Sequence, residues 1–183
     1  MSFLNWFIGR KSERSTVTST GPVTVTKIPK QSVNINYYFT RATGDLDKQL
    51  VKIINSSTVS LDIAIYFITK PSVIDAIVNA YSRGVKVRII TDKEMSQTSW
   101  EFKQLNRLNV LSIPIKINDH DGLMHLKIVI VDNKIITTGS YNYTGKATTL
   151  NDENLVIITN AKVAGDFTKE FNLMWGSNNY KLY

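Results

Sequence analysis

The sequence predicts an α/β domain, and three observations carry that prediction. From residue 33 onward, short runs rich in β-branched residues alternate with amphipathic stretches of helical period. One such stretch opens at Pro71 and stops at Gly84, between two apolar runs, which is the pattern of a parallel strand–helix–strand unit. Further on, residues 125–138 read as two strands separated by turn-forming Asp132 and Asn133.

The elements follow in chain order. Asn34 to Phe39 reads as a strand. Asp45 is placed to cap a helix running to about Ser56, with Leu46, Leu50, Ile53 and Ile54 on one face. Val59 to Phe67 is an apolar strand interrupted by Asp62. The helix from Pro71 to about Arg83 turns Val73, Ile74, Ile77 and Val78 inward, and Val85 to Thr91 is the strand beyond it. Trp100 to Leu108 is a further helix, and Pro114 to Ile117 a short strand. His125 to Val131 and Ile135 to Thr138 form the hairpin, Leu155 to Thr159 a last strand, and Ala161 to Met174 a closing helix with Val163, Phe167 and Phe171 spaced for burial. No repeat of fixed period is visible.

Bulk properties narrow the function classes. A chain of 183 residues fits one domain with a substantial core. The absence of cysteine excludes disulfides and thiolate metal sites and is compatible with a reducing compartment. The net charge is +7. Residues 1–40 contribute five basic residues and one acid, or +4, and residues 41–183 seventeen basic and fourteen acidic, or +3. That balance favours a polyanionic partner, either nucleic acid or an anionic membrane. Residues 1–32 read as a flexible arm, with Phe3, Leu4, Trp6, Phe7 and Ile8 ahead of a Ser/Thr-rich stretch containing two prolines. The apolar patch is too short to span a bilayer, and its basic residues follow it, unlike a secretory signal, so a cytoplasmic location is expected. Membrane contact through this patch is the lesser expectation.

Chemistry concentrates between residues 125 and 154. Strand alternation puts His125 and Lys127 on one face, opposite apolar Leu126, Ile128 and Ile130. Ser140 and Asn142 share a face at the end of the next strand, and Gly139 would let the backbone approach a bound group closely. If the two strands pair, an imidazole, an ammonium and two neutral hydrogen-bonding groups converge. This set suits nucleophilic attack on a phosphoryl group with stabilisation of its charge.

His125-x-Lys127, then Asp132, Gly139-Ser140 and Asn142, with Glu153 downstream, resembles the HKD signature of the phospholipase D superfamily. The likeness runs over roughly residues 34–175 and is nearest in kind to the family's small single-motif bacterial endonucleases. It implies a mixed, largely parallel sheet with helices on both faces, the catalytic domain occupying residues 33–183. It also implies a homodimer, since the family's site needs two His-Lys pairs and this chain holds one signature.

The mechanism implied is attack by His125 of one protomer, forming a phosphohistidine, with His125 of the other as acid and then base. Lys127 and Asn142 would bind the phosphoryl oxygens, Ser140 would add a hydrogen bond, and Glu153 would orient the imidazole. Asp132 is expected to be structural. No cofactor and no metal are implied, although Asp119, His120, Asp121 and His125 stand close enough in sequence to raise a metal site as a competitor. Arg88 and Lys93 are read as surface charges in preference to substrate contacts. The expected partner is nucleic acid. A phospholipase or cardiolipin-type hydrolase and a non-catalytic nucleic-acid-binding module are the competing readings.

Overall fold

The computed structural model describes residues 32–42 and 44–183. All but the last residue of the arm expected over 1–32 lies outside the described residues. Eight strands form a single sheet, in the order β1-β7-β6-β5-β2-β3-β4-β8. They are β1 (Asn34–Phe39), β2 (Ser60–Ile65), β3 (Lys86–Thr91), β4 (Ile115–Asn118), β5 (Lys127–Val131), β6 (Ile135–Gly139), β7 (Asn154–Thr159) and β8 (Tyr180–Leu182). The helices are α1 (Leu46–Asn55), α2 (Pro71–Ser82), α3 (Lys93–Ser96), α4 (Ser99–Asn109), α5 (Gly145–Thr149) and α6 (Ala161–Gly176). Among the described residues, no helix is long and apolar enough to cross a membrane.

The mixed sheet flanked by helices is as expected, but the sheet is not largely parallel. Parallel pairing is confined to β2–β3 and β3–β4, while β1–β7, β7–β6, β6–β5, β5–β2 and β4–β8 are antiparallel. The reason is connectivity. A parallel neighbour needs a crossover, which α2 supplies between β2 and β3, and α3 with α4 between β3 and β4. Beyond β4 a loop leads to the β5–β6 hairpin and the short α5 returns the chain to β7, all antiparallel steps, while α6 carries the chain across the sheet to β8, antiparallel to β4. The sheet is therefore a parallel half (β2, β3, β4) joined to an antiparallel half (β5, β6, β7, β1), and β2–β5 is the seam.

Both faces of the sheet are covered. Leu46, Leu50 and Ile54 of α1, Val73, Ile74 and Ile77 of α2, and Leu105 and Leu108 of α4 pack with Val129 and Val131 on one face. On the other, Ala164, Phe171 and Met174 of α6 cover Ala64, Ile90, Ile130 and Ile136. Full burial of one such aliphatic side chain contributes about 1.5–3 kcal/mol, so these two layers hold the sheet together.

Two charges read from the sequence find structural roles. Asp62, in the middle of β2, receives Arg88 from β3 through two bonds of 2.8 Å. The Arg88 guanidinium also lies over the rings of Phe171 and Trp175, at 4.9 and 5.4 Å. Lys93 pairs with Asp119 at 3.0 Å. Asp45 does precede α1, but at φ 57° its side chain makes no cap and pairs with Lys48 at 2.8 Å instead. The two short helices α3 and α5 and the edge strand β8 go beyond the periodic pattern, because pieces of three to five residues give no readable period.

Asp132 closes the far end of β5. It and Asn133 both adopt positive φ, 51° and 52°, which turns the β5–β6 hairpin tightly. Its carboxylate accepts the backbone N–H groups of Thr58, Val59 and Ser60 and the Thr58 hydroxyl, at 2.8–3.0 Å for the shortest bond to each. Burial raises its pKa, but the bonds from Ser60, Val59 and Thr58 outweigh that and leave it below the usual carboxylate value. A depressed folded pKa stabilises the fold above the unfolded value and is lost as pH falls through the folded one. Asp132→Ala is therefore expected to lower unfolding free energy by about 2–4 kcal/mol at neutral pH. In urea melts, the gap between the two proteins should shrink as pH is taken below 3.8, the ordinary value for this carboxyl.

Candidate active site

β5 runs through the middle of the sheet, paired with β2 on one side and β6 on the other. Its first residue, Lys127, points to the same face as Val129 and Val131 and is only 6% exposed. His125 lies two residues before the strand, in extended chain, and is exposed. β6 delivers Gly139 and Ser140 beside them, and Asn142 follows. His125, Lys127, Ser140 and Asn142 thus line one open cleft of about 500 Å³, with Gly139 and Asn154 completing the wall.

The Lys127 ammonium donates to the His125 carbonyl oxygen at 2.8 Å and sits 4.9 Å from the centre of the Tyr66 ring. An ammonium has three donors. Among the described residues one is engaged here, and Lys127 lines the cleft. Burial lowers the lysine's pKa, and the Glu153 carboxylate opposes the shift. The His125 ring packs against Tyr66, centroids 4.5 Å apart and planes tilted by 58°. Its backbone is held from the neighbouring residue, because Asp92, buried at the end of β3, accepts the Met124 N–H at 2.9 Å. The other oxygen of Asp92 caps α3 through Glu94 N–H at 3.0 Å and Met95 N–H at 3.2 Å.

The opposite wall is fastened by residues 140 and 151–154. The Ser140 N–H donates to Asn154 Oδ1 at 2.8 Å, and its hydroxyl donates to Glu153 Oε2 at 2.5 Å. Glu153 Oε1 accepts from Asn151 at 3.0 Å. The carboxylate expected to orient the imidazole thus accepts the Ser140 hydroxyl in this chain. Gly139 is also required by the packing of the strands. At φ 146° a side chain there is strained, and a Cβ would collide with the Asn154 carbonyl oxygen of β7. The close approach seen is to the neighbouring strand. Among the described residues, the buried Oδ1 of Asn142 has no hydrogen-bond partner. An unpaired buried carbonyl costs roughly 1–3 kcal/mol.

Several expected or alternative contributors stand elsewhere. Asp132 is at the other end of β5, as its structural reading requires. Asp119 is committed to Lys93, while the His120 ring meets Tyr180 edge-on at 5.6 Å. Among the described residues no three histidines or carboxylates cluster as metal ligands do. Tyr66, Asp92 and Asn154 were not singled out by sequence reasoning. They are remote from the signature or unremarkable beside it, and only the strand order brings them to it.

Residues 50–175 match the protein family described as "Cardiolipin synthase, PLD-like domain". The chain belongs to this PLD-like family. The crystal structure of Nuc, a phospholipase D family member from Salmonella typhimurium, superposes with a TM-score of 0.77 at 29% identity, covering 83% of this chain and 99% of that one. A protein named phospholipase D in Rickettsia prowazekii is 32% identical over 138 residues, which is 75% of this chain and 66% of the relative. One named mitochondrial cardiolipin hydrolase in Chlamydomonas reinhardtii is 29% identical over 122 residues, 67% of this chain and 54% of the relative. The PLD-like domain thus spans about half to two thirds of these curated relatives' length.

Two outcomes test this geometry. Gly139→Ala should destabilise the PLD-like domain by at least about 1–3 kcal/mol in thermal unfolding, because strain and collision add. Glu153→Gln removes the charge that raises the Lys127 pKa. NMR titration of the lysine Cε should then find Lys127 losing its proton at lower pH than in the unaltered protein.

Proposed function

We propose that this PLD-like domain is a metal-independent phosphodiesterase that cleaves nucleic acid, acting as a homodimer. The observation that carries the reading is the convergence of His125, Lys127, Ser140 and Asn142 on one open cleft. An exposed imidazole is available to attack, beside a cation whose burial in the sheet strengthens its pull on an anion. The six residues lining the cleft include no carboxylate, and the chain's net charge is +7. Both features favour a polyanionic strand. The resemblance to single-motif endonucleases points the same way.

In this reading His125 of one protomer attacks phosphorus, forming a P–N bond as the bond to the leaving oxygen breaks. His125 of the second protomer gives that oxygen its proton. The same imidazole then takes a proton from water, whose oxygen attacks phosphorus and releases the first histidine. Lys127 and Asn142 hold the non-bridging oxygens, while Glu153 fixes Ser140 and supports the charge on Lys127.

A lipid reading has its own support. Between the sheet and α6 lies an apolar groove of about 290 Å³ that includes Leu126, adjacent to His125. Two of the relatives carry lipid-hydrolase names. Against it, Asp166 and Glu170 border the groove and oppose an anionic headgroup.

The test is cleavage of labelled single- and double-stranded DNA and RNA, and of cardiolipin vesicles, all in EDTA. Nucleic acid should be cut despite the chelator, and His125→Ala should reduce the rate by at least about 10³-fold while retaining binding. Loss of activity to EDTA, an active His125→Ala protein, or hydrolysis of cardiolipin alone would each overturn the proposal.

A further inference from the structure

A second recess, of about 340 Å³, is built from residues next in the chain to those at the cleft. It is lined by Phe67, Thr69, Trp100, Thr144, Gly145 and Lys146. Two chain segments lead from one to the other. Tyr66, which packs on His125, precedes Phe67, and Asn142, which lines the cleft, precedes Tyr143. Tyr143 N–H donates to the Phe67 carbonyl at 3.0 Å, and Thr69 N–H to the Tyr143 carbonyl at 2.9 Å, so the two chain segments are locked together.

Trp100 stands on the first turn of α4 and is 73% exposed. A single exposed indole is unremarkable by itself. Three further features distinguish this one. Its neighbour Glu101 is fully buried and accepts the Thr91 hydroxyl at 2.6 Å, which fixes the turn that carries the indole. The recess includes a second aromatic ring, Phe67, and a cation, Lys146, with no carboxylate among its six lining residues. The groove under α6 is bordered by Asp166 and Glu170, and the recess beyond Ser140 by Asp152 and Glu153. The recess beyond Ser140 also holds Phe39 and Arg41, but Arg41 is paired with Asp152 at 2.6 Å, so a polyanion leaving the cleft meets carboxylates at those two recesses and, at this one, an aromatic surface with a cation and no carboxylate in the lining.

We propose that Trp100, backed by Phe67 and Lys146, forms a subsite that stacks an unpaired base of the strand whose phosphate lies in the His125 cleft. The inference rests on the nucleic-acid reading above and adds to it how the strand is gripped. Stacking accepts any base, because each presents a π face, and the Lys146 ammonium meets the adjoining phosphate as a point charge.

The experiment uses the full chain carrying His125→Ala, so that the strand is bound and not cut. Anisotropy is read with a labelled single-stranded oligonucleotide of about 12 nucleotides and with an abasic strand of equal length. The base-bearing strand should bind roughly 5- to 100-fold tighter than the abasic one. Trp100→Ala should abolish that difference, and Trp100→Phe should keep most of it. Lys146→Ala should weaken both strands alike and reduce the salt-dependence slope by about 0.7. The subsite is overturned if Trp100→Ala leaves the difference intact or weakens both strands equally. It is also overturned if sedimentation shows that the substitution dissociates the protein's subunits, or if the substitution weakens binding to cardiolipin vesicles instead. Parallel cleavage by the unaltered chain separates the two levels. If it cuts nucleic acid while Trp100 proves silent, only the subsite falls; if it cuts cardiolipin alone, both readings fall together.

Discussion

The position of the Lys127 ammonium constrains the rest of this site. A cation on the first residue of a central strand, 6% exposed, is a costly arrangement. The surroundings offset that cost without neutralising the charge. A backbone carbonyl, the face of Tyr66 and the field of Glu153 all favour the ammonium, yet none forms a close ion pair with it. A direct carboxylate partner would hold the lysine more firmly and cancel the positive potential of the cleft. The arrangement found keeps that potential, and keeps it where water screens it least.

That arrangement depends on the seam of the sheet. Tyr66 follows β2, from the parallel half, and His125 and Lys127 belong to the antiparallel half. Asp92, which grips Met124, comes from β3. His125 and Lys127 sit on one half of the fold, and Tyr66 and Asp92, which contact them or their neighbour, on the other. The β2–β5 pairing, which sets Ile65 against Lys127, puts them in register. Strand β5 is anchored at both ends by different means: at one by the cleft, at the other by the Asp132 carboxylate gathering three consecutive N–H groups.

Much of this was legible in the residues. The strands and long helices follow from period, Pro71 and Gly84 mark α2, and the His125–Asn142 spacing located the cleft. What the chain order could not convey was register and partner choice. The parallel unit at residues 60–91 suggested more parallel pairing than the later connections permit. Glu153 was visible as an acid near the site, but its partner was not, because Ser140 reaches it only once β7 lies beside β6. Gly139 marks itself in the sequence as a place where the backbone can be approached, but the nearness of β7 to it depends on strand pairing. Tyr66, Asp92 and Asn154 carry no local spacing that ties them to His125, and Trp100 looked like one more residue of a helix.

The strand order also bears on biosynthesis. β1 is made early yet pairs with β7, some 120 residues later, and β2 must wait for β5 to occupy its second edge. The middle of the sheet therefore closes late in the emergence of the chain, and it closes with the strand that carries the lysine. Long-range pairings of this kind slow the search for the native state. They also mean that a nascent or truncated chain lacks the assembled cleft, so reactivity arrives together with completed folding.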